Sequence, residues 1–152
     1  MCLGNICRSP MAEGALRARI QSSSLAGRVT VDSAGTSDWH AGRAPDARAV
    51  ACAAQHGVDI APLRARSLTR SDFTRFDWVL CADRHNLRDV LAMAPAGARE
   101  RVAMWLPWSQ VAVAGDGAIP DPYSGDASAF EQVWQLVDAA ALATVRRLER
   151  GA

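Results

Sequence analysis

Apolar residues recur at helical spacing in several stretches of the chain. The first stretch, residues 11–24, places its apolar side chains on one face of a helix, and Pro10 stands where the first turn would begin. Pro45 opens a second helix, and Asp83 caps a third. The predicted helices span residues 11–24, 45–55, 84–94 and 129–150.

Short apolar or β-branched runs separate these helices and predict strands. Residues 28–32 are rich in β-branched side chains, and residues 76–82 form an apolar run suited to a strand buried on both faces. Residues 102–106 predict a shorter strand, followed by the loop-rich residues 107–125. Strands that alternate with helices predict one domain over residues 1–152, a three-layer α/β/α sandwich with a parallel sheet.

Composition and charge narrow the class of protein. The 152 residues suffice for one domain with a sizeable core, and the net charge of +1 gives no global reason to expect a nucleic-acid or membrane partner. No apolar run reaches the roughly 18 residues of a membrane span. The cysteines lack zinc-ligand spacing and predict a reducing, cytoplasmic location. They are Cys2, Cys7, Cys52 and Cys81.

The segment CLGNICRSP, from Cys2 to Pro10, combines a nucleophile with residues suited to anion binding. Gly4 and Asn5 readily adopt left-handed backbone conformations, which can turn successive N–H groups inward to form a nest. The following helix directs its positive N-terminus at the same point, and Arg8 can clamp two phosphate oxygens. Cys2 is expected to be a thiolate there, because helix N-termini and neighbouring cations stabilise that anion.

A second motif places Asp121 between two prolines, after the last predicted strand. Both prolines restrict the backbone, so the carboxyl group sits on a stiff loop. In a parallel α/β sheet the ligand site lies at the carboxyl ends of the strands, which brings this loop near the cysteine segment. A carboxyl group in that position can deliver a proton to a leaving oxygen.

Together these strings resemble the low-molecular-weight protein tyrosine phosphatases of the bacterial type. The bare pattern C-x5-R arises readily by chance in an arginine-rich chain, but the full nine-residue string is far more specific. The resemblance implies a Rossmann-like phosphotyrosine phosphatase I fold with a parallel four-stranded sheet, whose first strand is truncated in this sequence. Further matching strings lie at residues 31–39, 42–48, 76–77, 80–81 and 121–123.

The resemblance also implies the chemistry, which is hydrolysis of phosphotyrosine in proteins through a phosphocysteine intermediate on Cys2, with no cofactor and no metal. Arg8 would stabilise the phosphoryl group. Asp121 would protonate the leaving phenolate and later activate water. The implied phosphate-binding residues are Leu3, Gly4, Asn5, Ile6, Cys7, Arg8 and Ser9.

Supporting roles around this loop follow from the same resemblance. Ser9 would donate a hydrogen bond to the thiolate, and Asn5 and Ser33 would hold the unusual backbone of the loop. Leu63 stands where many family members carry a histidine that supports the loop serine. Ser9 is therefore expected to lack one partner here.

The resemblance further implies a substrate slot and a set of partners. Trp39 and Tyr123 would wall a deep slot that selects phosphotyrosine over the shorter phosphoserine, with His40 at its rim. The implied partners are phosphotyrosine proteins, including a bacterial tyrosine kinase. The implied assembly is a monomer or a weak dimer.

The chain also predicts a redox response. Cys7 lies five residues after Cys2 in the same loop. Peroxide is therefore expected to join Cys2 and Cys7 in a reversible disulfide that protects Cys2 from over-oxidation.

The sequence leaves other functions open. A phosphoarginine phosphatase would share the phosphate cradle and differ in the lining of the pocket. An arsenate reductase of the same fold needs a resolving cysteine shortly after Cys81, and residues 86–93 contain none. A phosphate-binding module without activity and a structural protein with incidental motifs are the remaining alternatives.

The start of the sequence raises a separate expectation. Only Met1 precedes Cys2, whereas a phosphate loop that leads into a helix needs a strand in front of it. In the resembled family that strand is apolar and central to the sheet. We expect Met1 to be a misassigned start, preceded in the DNA by several codons for apolar residues. If Met1 is the true start, we expect an unstable and inactive remnant.

Overall fold

Six α-helices and two parallel strands form the regular structure of residues 1–151, which the computed structural model describes. The helices are α1 (Arg8–Gln21), α2 (Ala47–Gln55), α3 (Asp72–Arg75), α4 (Arg84–Met93), α5 (Trp105–Trp108) and α6 (Ala127–Glu149). The strands are β1 (Val79–Cys81) and β2 (Val102–Met104), and a 3-10 helix, Ala96–Arg101, leads into β2. The four predicted helices are confirmed as α1, α2, α4 and α6, with ends shifted by at most three residues.

Aspartate side chains cap three of these helices. Asp83 accepts a hydrogen bond from the backbone N–H of Asn86 at the start of α4. Asp46 and Asp126 cap α2 and α6 in the same way. Each cap satisfies a backbone donor that has no partner within its own helix, which explains why the helices begin at these points.

The sheet is short, but it divides the core into two layers. Strands β1 and β2 pair in parallel, with Val79 opposite Val102. These two valines pack with Val90 of α4, whereas Leu80 and Ala103 contact the core built by α1, α2 and α6. Alternate strand residues therefore bury opposite faces of the sheet. The predicted three-layer α/β/α architecture is confirmed.

The first two residues extend the sheet irregularly beyond β1. The Met1 amino group donates to the Leu80 carbonyl at 2.8 Å, and the Ala82 N–H donates to the Met1 carbonyl at 3.0 Å. On its other side, Cys2 forms an isolated parallel bridge with Gly35. Cys2 is thereby held between two extended segments of the chain.

The prediction of four strands is wrong, because the described residues form a two-stranded sheet. Within residues 1–151, no backbone hydrogen bond joins residues 29–33 to another segment. A cleft of about 380 Å³ lies between these residues and Trp78–Leu80, so the β-branched run has no neighbouring strand to pair with. Strand β2 is shorter than predicted because α5 begins at Trp105, with Pro107 in its first turn. The strand expected before Met1 lies outside the described residues and stays a prediction.

Helix α6 supplies the centre of the larger core layer. Its residues Phe130, Val133 and Val137 are fully buried. Near its C-terminal end, Thr144 Oγ1 accepts a hydrogen bond from Trp105 Nε1 at 2.9 Å, and both side chains are buried. Removing this acceptor would lower the stability of the fold, because water cannot easily reach the buried indole N–H to replace it.

Among the described helices, none combines the length and apolarity that crossing a bilayer requires.

Thr144→Val should lower the free energy of unfolding by about 1–3 kcal/mol, because it keeps the side-chain shape but removes the acceptor for a buried donor. Urea unfolding followed by circular dichroism measures this change. In a Trp105→Phe background the donor is absent, so the same substitution should be far less destabilising. Equal losses in the two backgrounds would contradict the assignment of the effect to this hydrogen bond.

Candidate active site

In the loop from Leu3 to Cys7, carbonyl groups are hydrogen-bonded to other segments, whereas the backbone N–H groups point to no acceptor among residues 1–151. The backbone N–H groups of residues 3–7 donate to no protein group within residues 1–151. Asn5 adopts the predicted left-handed conformation, with φ of 56°, whereas Gly4 does not. The loop therefore offers a row of free donors, as an anion-binding nest requires. Carbonyls in the loop, and that of Cys2 just before it, accept from backbone N–H groups of other segments: Cys2 from Thr36 (2.9 Å), Leu3 from Ser37 (3.0 Å) and Ile6 from Asp46 (2.8 Å).

Two glycines allow close packing around this loop. A Cβ atom on Gly35 would lie 2.6 Å from the carbonyl oxygen of Leu3, a backbone atom that cannot easily move. A Cβ atom on Gly4 would lie 2.7 Å from Cδ2 of His40, whose ring therefore rests directly against the loop. Larger residues at either position would displace the loop or its neighbours.

Arg8 is buried, and two carboxylates hold its guanidinium. Nη1 donates to Asp83 Oδ2 at 2.6 Å and to the Ile119 carbonyl at 3.1 Å, while Nη2 lies 3.4 Å from Asp121 Oδ2. Burial alone would raise the pKa of Asp83, but hydrogen bonds from Asn86 and Arg8 lower it on balance. Arg8 thus forms a fixed cation beside the loop.

Asp83 is a site residue that the sequence analysis treated only as a helix cap. It performs both tasks at once, since it caps α4 and anchors Arg8. Its position directly after β1, at the carboxyl end of a parallel strand, was the available signal.

A chain of hydrogen bonds leads from Cys2 into the protein. Asn5 Nδ2 donates to Ser9 Oγ and to Ser33 Oγ, both at 2.8 Å. The Ser9 hydroxyl in turn lies 3.0 Å from Cys2 Sγ. Because the Asn5 amide can only donate through its nitrogen, Ser9 Oγ accepts there and keeps its own proton free. Ser9 is therefore oriented to donate to the sulfur of Cys2.

Glu13 and Arg66 complete this chain, although the sequence analysis singled out neither. Ser33 Oγ donates to Glu13 Oε2 at 2.5 Å, and the backbone N–H of Arg66 donates to Asn5 Oδ1 at 3.0 Å. Burial raises the pKa of Glu13, against the opposing effect of the Ser33 hydrogen bond. Glu13 stands one helical turn after Ser9, which is a weak sequence signal for a shared face of α1.

The acid and the aromatic residues surround the opening above Cys2. Asp121 is half exposed, and its Oδ1 accepts a hydrogen bond from the backbone N–H of Tyr123 at 3.1 Å. Trp39 and Tyr123 are exposed by 73% and 56%, and the guanidinium of Arg48 lies 5.7 Å from the centre of the Tyr123 ring.

These residues share one cavity of about 350 Å³. The structure therefore brings together the predicted nucleophile, cation, acid and slot residues, with Asn5, Ser9 and Ser33 supporting them by hydrogen bonds. The cavity is lined by Cys2, Leu3, Gly4, Ile6, Cys7, Arg8, Trp39, His40, Asp121 and Tyr123.

The cysteines are all free and buried, but their surroundings differ. Burial raises the pKa of Cys7 to about 12, with further contributions from the negative charges of Asp46, Cys2 and Asp121. Burial likewise raises the pKa of Cys81 to about 11. Both groups are therefore protonated thiols at neutral pH, and a protonated thiol is a poor nucleophile.

Known proteins with similar sequences are phosphatases. A family model described as low molecular weight phosphotyrosine protein phosphatase matches residues 1–151. The chain is 40% identical over 140 residues to the low molecular weight phosphotyrosine protein phosphatase of Sus scrofa, which covers 89% of this chain and 84% of that one. It is 39% identical over 155 residues to the low molecular weight protein-tyrosine-phosphatase of Streptomyces coelicolor, which covers 99% and 94%.

A solved structure agrees with these relatives. The protein tyrosine phosphatase of Entamoeba histolytica, crystallised with Hepes in its active site, matches with a TM-score of 0.92 at 30% identity, over 99% of this chain and 94% of that one. The predicted family and its activity, hydrolysis of phosphotyrosine in proteins, are confirmed. This chain belongs to the low molecular weight phosphotyrosine protein phosphatase family.

Proposed function

We propose that this phosphatase uses Cys2 as the nucleophile, Arg8 as the phosphate-binding cation, and Asp121 as the acid and base. The observation that carries the proposal is the position of the Cys2 sulfur. It lies 3.0 Å from the Ser9 hydroxyl, in a loop whose backbone N–H groups are free and whose helix begins with the buried Arg8. Such a site can bind a phosphoryl group and present a thiolate to it.

In the first step, the Cys2 thiolate attacks phosphorus while the bond from phosphorus to the tyrosine oxygen breaks. The protonated carboxyl group of Asp121 gives its proton to that oxygen, so tyrosine leaves as a neutral phenol. The free N–H groups of the loop and the Arg8 guanidinium stabilise the equatorial oxygens in the transition state. Phosphate at this point would replace the 3.4 Å contact between Arg8 and Asp121, which frees the carboxyl group for the leaving oxygen.

In the second step, Asp121 takes a proton from water as the water oxygen attacks the phosphocysteine. The sulfur–phosphorus bond breaks, phosphate is released and Cys2 returns as a thiolate. The hydrogen bond from Ser9 stabilises the departing sulfur as its charge develops. The proton that Asp121 gives in the first step is recovered in the second.

The rim of the cavity supports an aromatic phosphate ester as the substrate. Exposed Trp39 and Tyr123 can contact a phenyl ring on either side. We therefore expect partners that are phosphotyrosine proteins, including a bacterial tyrosine kinase.

We also propose a cytoplasmic location, since a reducing compartment keeps the free Cys2 active.

Substitution of the three reacting residues should give distinct kinetic losses. Cys2→Ser and Arg8→Ala should each abolish turnover of p-nitrophenyl phosphate, because they remove the nucleophile and the main phosphate-binding charge. Asp121→Ala should slow turnover by about 10²- to 10⁴-fold with poor leaving groups and less with good ones. Steady-state kinetics over a series of aryl phosphates measures the difference.

Asp116→Ala is the matched control, because Asp116 lies on the same loop and pairs with Arg84 outside the cavity. Wild-type rates for Asp121→Ala on poor leaving groups would assign the acid to another residue. A loss of rate in Asp116→Ala would then identify Asp116, and without such a loss Asp126 is the next residue to test. Parallel assays with a phosphotyrosine peptide, phosphoarginine and arsenate should give Cys2-dependent turnover of the peptide. Preferred turnover of phosphoarginine would contradict the proposed substrate.

Substitutions at Asn5 should separate the backbone role of this residue from its side-chain role. Asn5→Gly keeps the left-handed conformation, whereas Asn5→Ala strains it and should be less stable than the glycine variant by about 1 kcal/mol. Both variants lack the amide that orients Ser9, so both should lose kcat/KM to a similar extent. Urea unfolding and steady-state kinetics on the same samples test this. Wild-type activity in Asn5→Gly would show that the amide is dispensable.

Peroxide should form a reversible Cys2–Cys7 disulfide. The Cys2 thiolate is first oxidised to a sulfenic acid, with peroxide reduced to water, and the Cys7 sulfur then displaces a second water molecule. Oxidation also removes the Cys2 charge that helps to keep Cys7 protonated. Mass spectrometry of a digest without reductant should find the crosslink, with Cys81→Ser as a control. Full recovery of Cys7→Ser after peroxide treatment would contradict a protective role.

A further inference from the structure

We propose that Cys52, His56 and Glu131 form a binding site for a divalent metal ion such as Zn²⁺, at the place where α2 packs against α6. The three residues offer one sulfur, one nitrogen and one oxygen ligand atom, all within 4.8 Å of one another. None of the three lines the cavity above Cys2. The proposed site is therefore separate from the reaction centre and does not depend on the proposed mechanism.

The backbone brings these three ligand atoms together from two helices. Cys52 and His56 stand four residues apart, on α2 and its C-cap, so both side chains project to the same side. Cys52 Sγ lies 3.6 Å from Glu131 Oε2, and His56 Nε2 lies 2.9 Å from the same oxygen. Ligand atoms in a tetrahedral zinc site with bonds of about 2.0–2.3 Å lie roughly 3.3–3.8 Å apart. Small side-chain adjustments would therefore place all three atoms around one ion.

Neighbouring side chains orient two of the ligands in advance. The His56 ring stacks on Trp134, with ring centres 4.9 Å apart and planes at 11°. Gln135 Nε2 donates to Glu131 Oε1 at 2.6 Å, which steadies the carboxylate. Outer contacts of this kind hold ligands in metal sites and strengthen binding. The arrangement thus fixes the imidazole and carboxylate before an ion arrives.

The cluster is accessible on one side and enclosed on the other. Cys52 is buried, whereas the side chains of His56 and Glu131 are 31% and 42% exposed. An ion can enter from this exposed side, and a water molecule can occupy the fourth position around it. A thiolate, an imidazole and a carboxylate together favour zinc or cobalt over magnesium or calcium, which prefer oxygen ligands alone.

Binding changes protonation and bonding but transfers no electron. The Cys52 thiol gives its proton to solvent, and a sulfur–metal bond replaces the thiol contact with Glu131. His56 Nε2, which faces the Glu131 carboxylate, must bind the ion through its lone pair, so the neutral ring then carries its hydrogen on Nδ1 and a nitrogen–metal bond replaces the contact with Glu131. The ion would then join α2 to α6. Because the N-terminal end of α2 holds the phosphate loop through the hydrogen bond from Asp46 N–H to the Ile6 carbonyl, the ion would stabilise the helices behind that loop.

Titration of the Cys2→Ser protein with Co²⁺ tests this proposal, since this background lacks the active-site thiolate as a competing ligand. One equivalent of Co²⁺ should bind, with a sulfur-to-cobalt charge-transfer band and the visible bands of tetrahedral cobalt, and Zn²⁺ should displace it. Adding Cys52→Ser should abolish the charge-transfer band. Adding Glu131→Gln should weaken binding at least about tenfold.

Asp138→Asn is the matched control for Glu131→Gln. Asp138 is another carboxylate on the surface of α6, but it pairs with Arg19 away from the cluster. This variant should bind Co²⁺ as tightly as the parent. Zn²⁺ should also raise the thermal unfolding temperature of the parent and of Asp138→Asn, but not that of Glu131→Gln.

Two outcomes would overturn the proposal. One is the absence of saturable binding near one equivalent, which would leave the three residues as a hydrogen-bonded cluster only. The other is a charge-transfer band that survives Cys52→Ser and disappears with Cys7→Ser. If Cys52→Ser fails to fold, Glu131→Gln decides the question, and an affinity equal to that of the parent contradicts the site.

Discussion

The structure depends on one constraint, which is that the proposed phosphate loop, residues 3–7, leaves its backbone N–H groups without a partner among residues 1–151. Peptide groups in a folded protein are normally paired, so a loop with free donors needs support from its surroundings. That support comes from segments far away in sequence, which bind the carbonyls of Cys2, Leu3 and Ile6. Gly35 allows one of these segments to approach closely enough. The carbonyls of Cys2, Leu3 and Ile6 thus anchor the loop, while its N–H groups are left without a partner among residues 1–151.

The side chain of Asn5 couples this backbone to Cys2, the proposed nucleophile. Its left-handed conformation shapes the loop, and its amide group orients Ser9 toward Cys2 while its oxygen accepts from the Arg66 N–H. The chain of donors ends at Glu13, which gives Ser33 a defined acceptor. Asn5 therefore both shapes the loop backbone and orients the hydroxyl group that donates to the Cys2 sulfur.

Electrostatics complement this geometry. A buried guanidinium needs a compensating charge, and Arg8 has Asp83 and Asp121 as partners. Asp83 is fixed by its role as a helix cap, whereas Asp121 lies on an exposed loop and makes the longer contact. A bound phosphate can therefore replace Asp121 without disturbing Asp83. In the proposed mechanism, Arg8 stays in place while Asp121 becomes available as the acid.

Local features of this protein were predictable from the sequence because short-range physics determines them. The first helix with Pro10 in its first turn, the cap at Asp83 and the left-handed Asn5 all follow from neighbouring residues. The nine-residue string from Cys2 likewise carried the family resemblance, since it specifies a nucleophile, a nest and a cation within one loop.

Other features were decided only by the tertiary structure. The β-branched residues 28–32 have strand propensity, but a strand also needs a partner, and the sequence does not show that a cleft lies beside them. Glu131 lies 79 residues from Cys52 and 75 from His56, so no spacing rule could group them. The sequence determined which chemical groups were available and, to within three residues, where the four longer helices begin. Chain packing decided which of those groups meet, because contacts between distant residues depend on how whole helices and strands lie against one another.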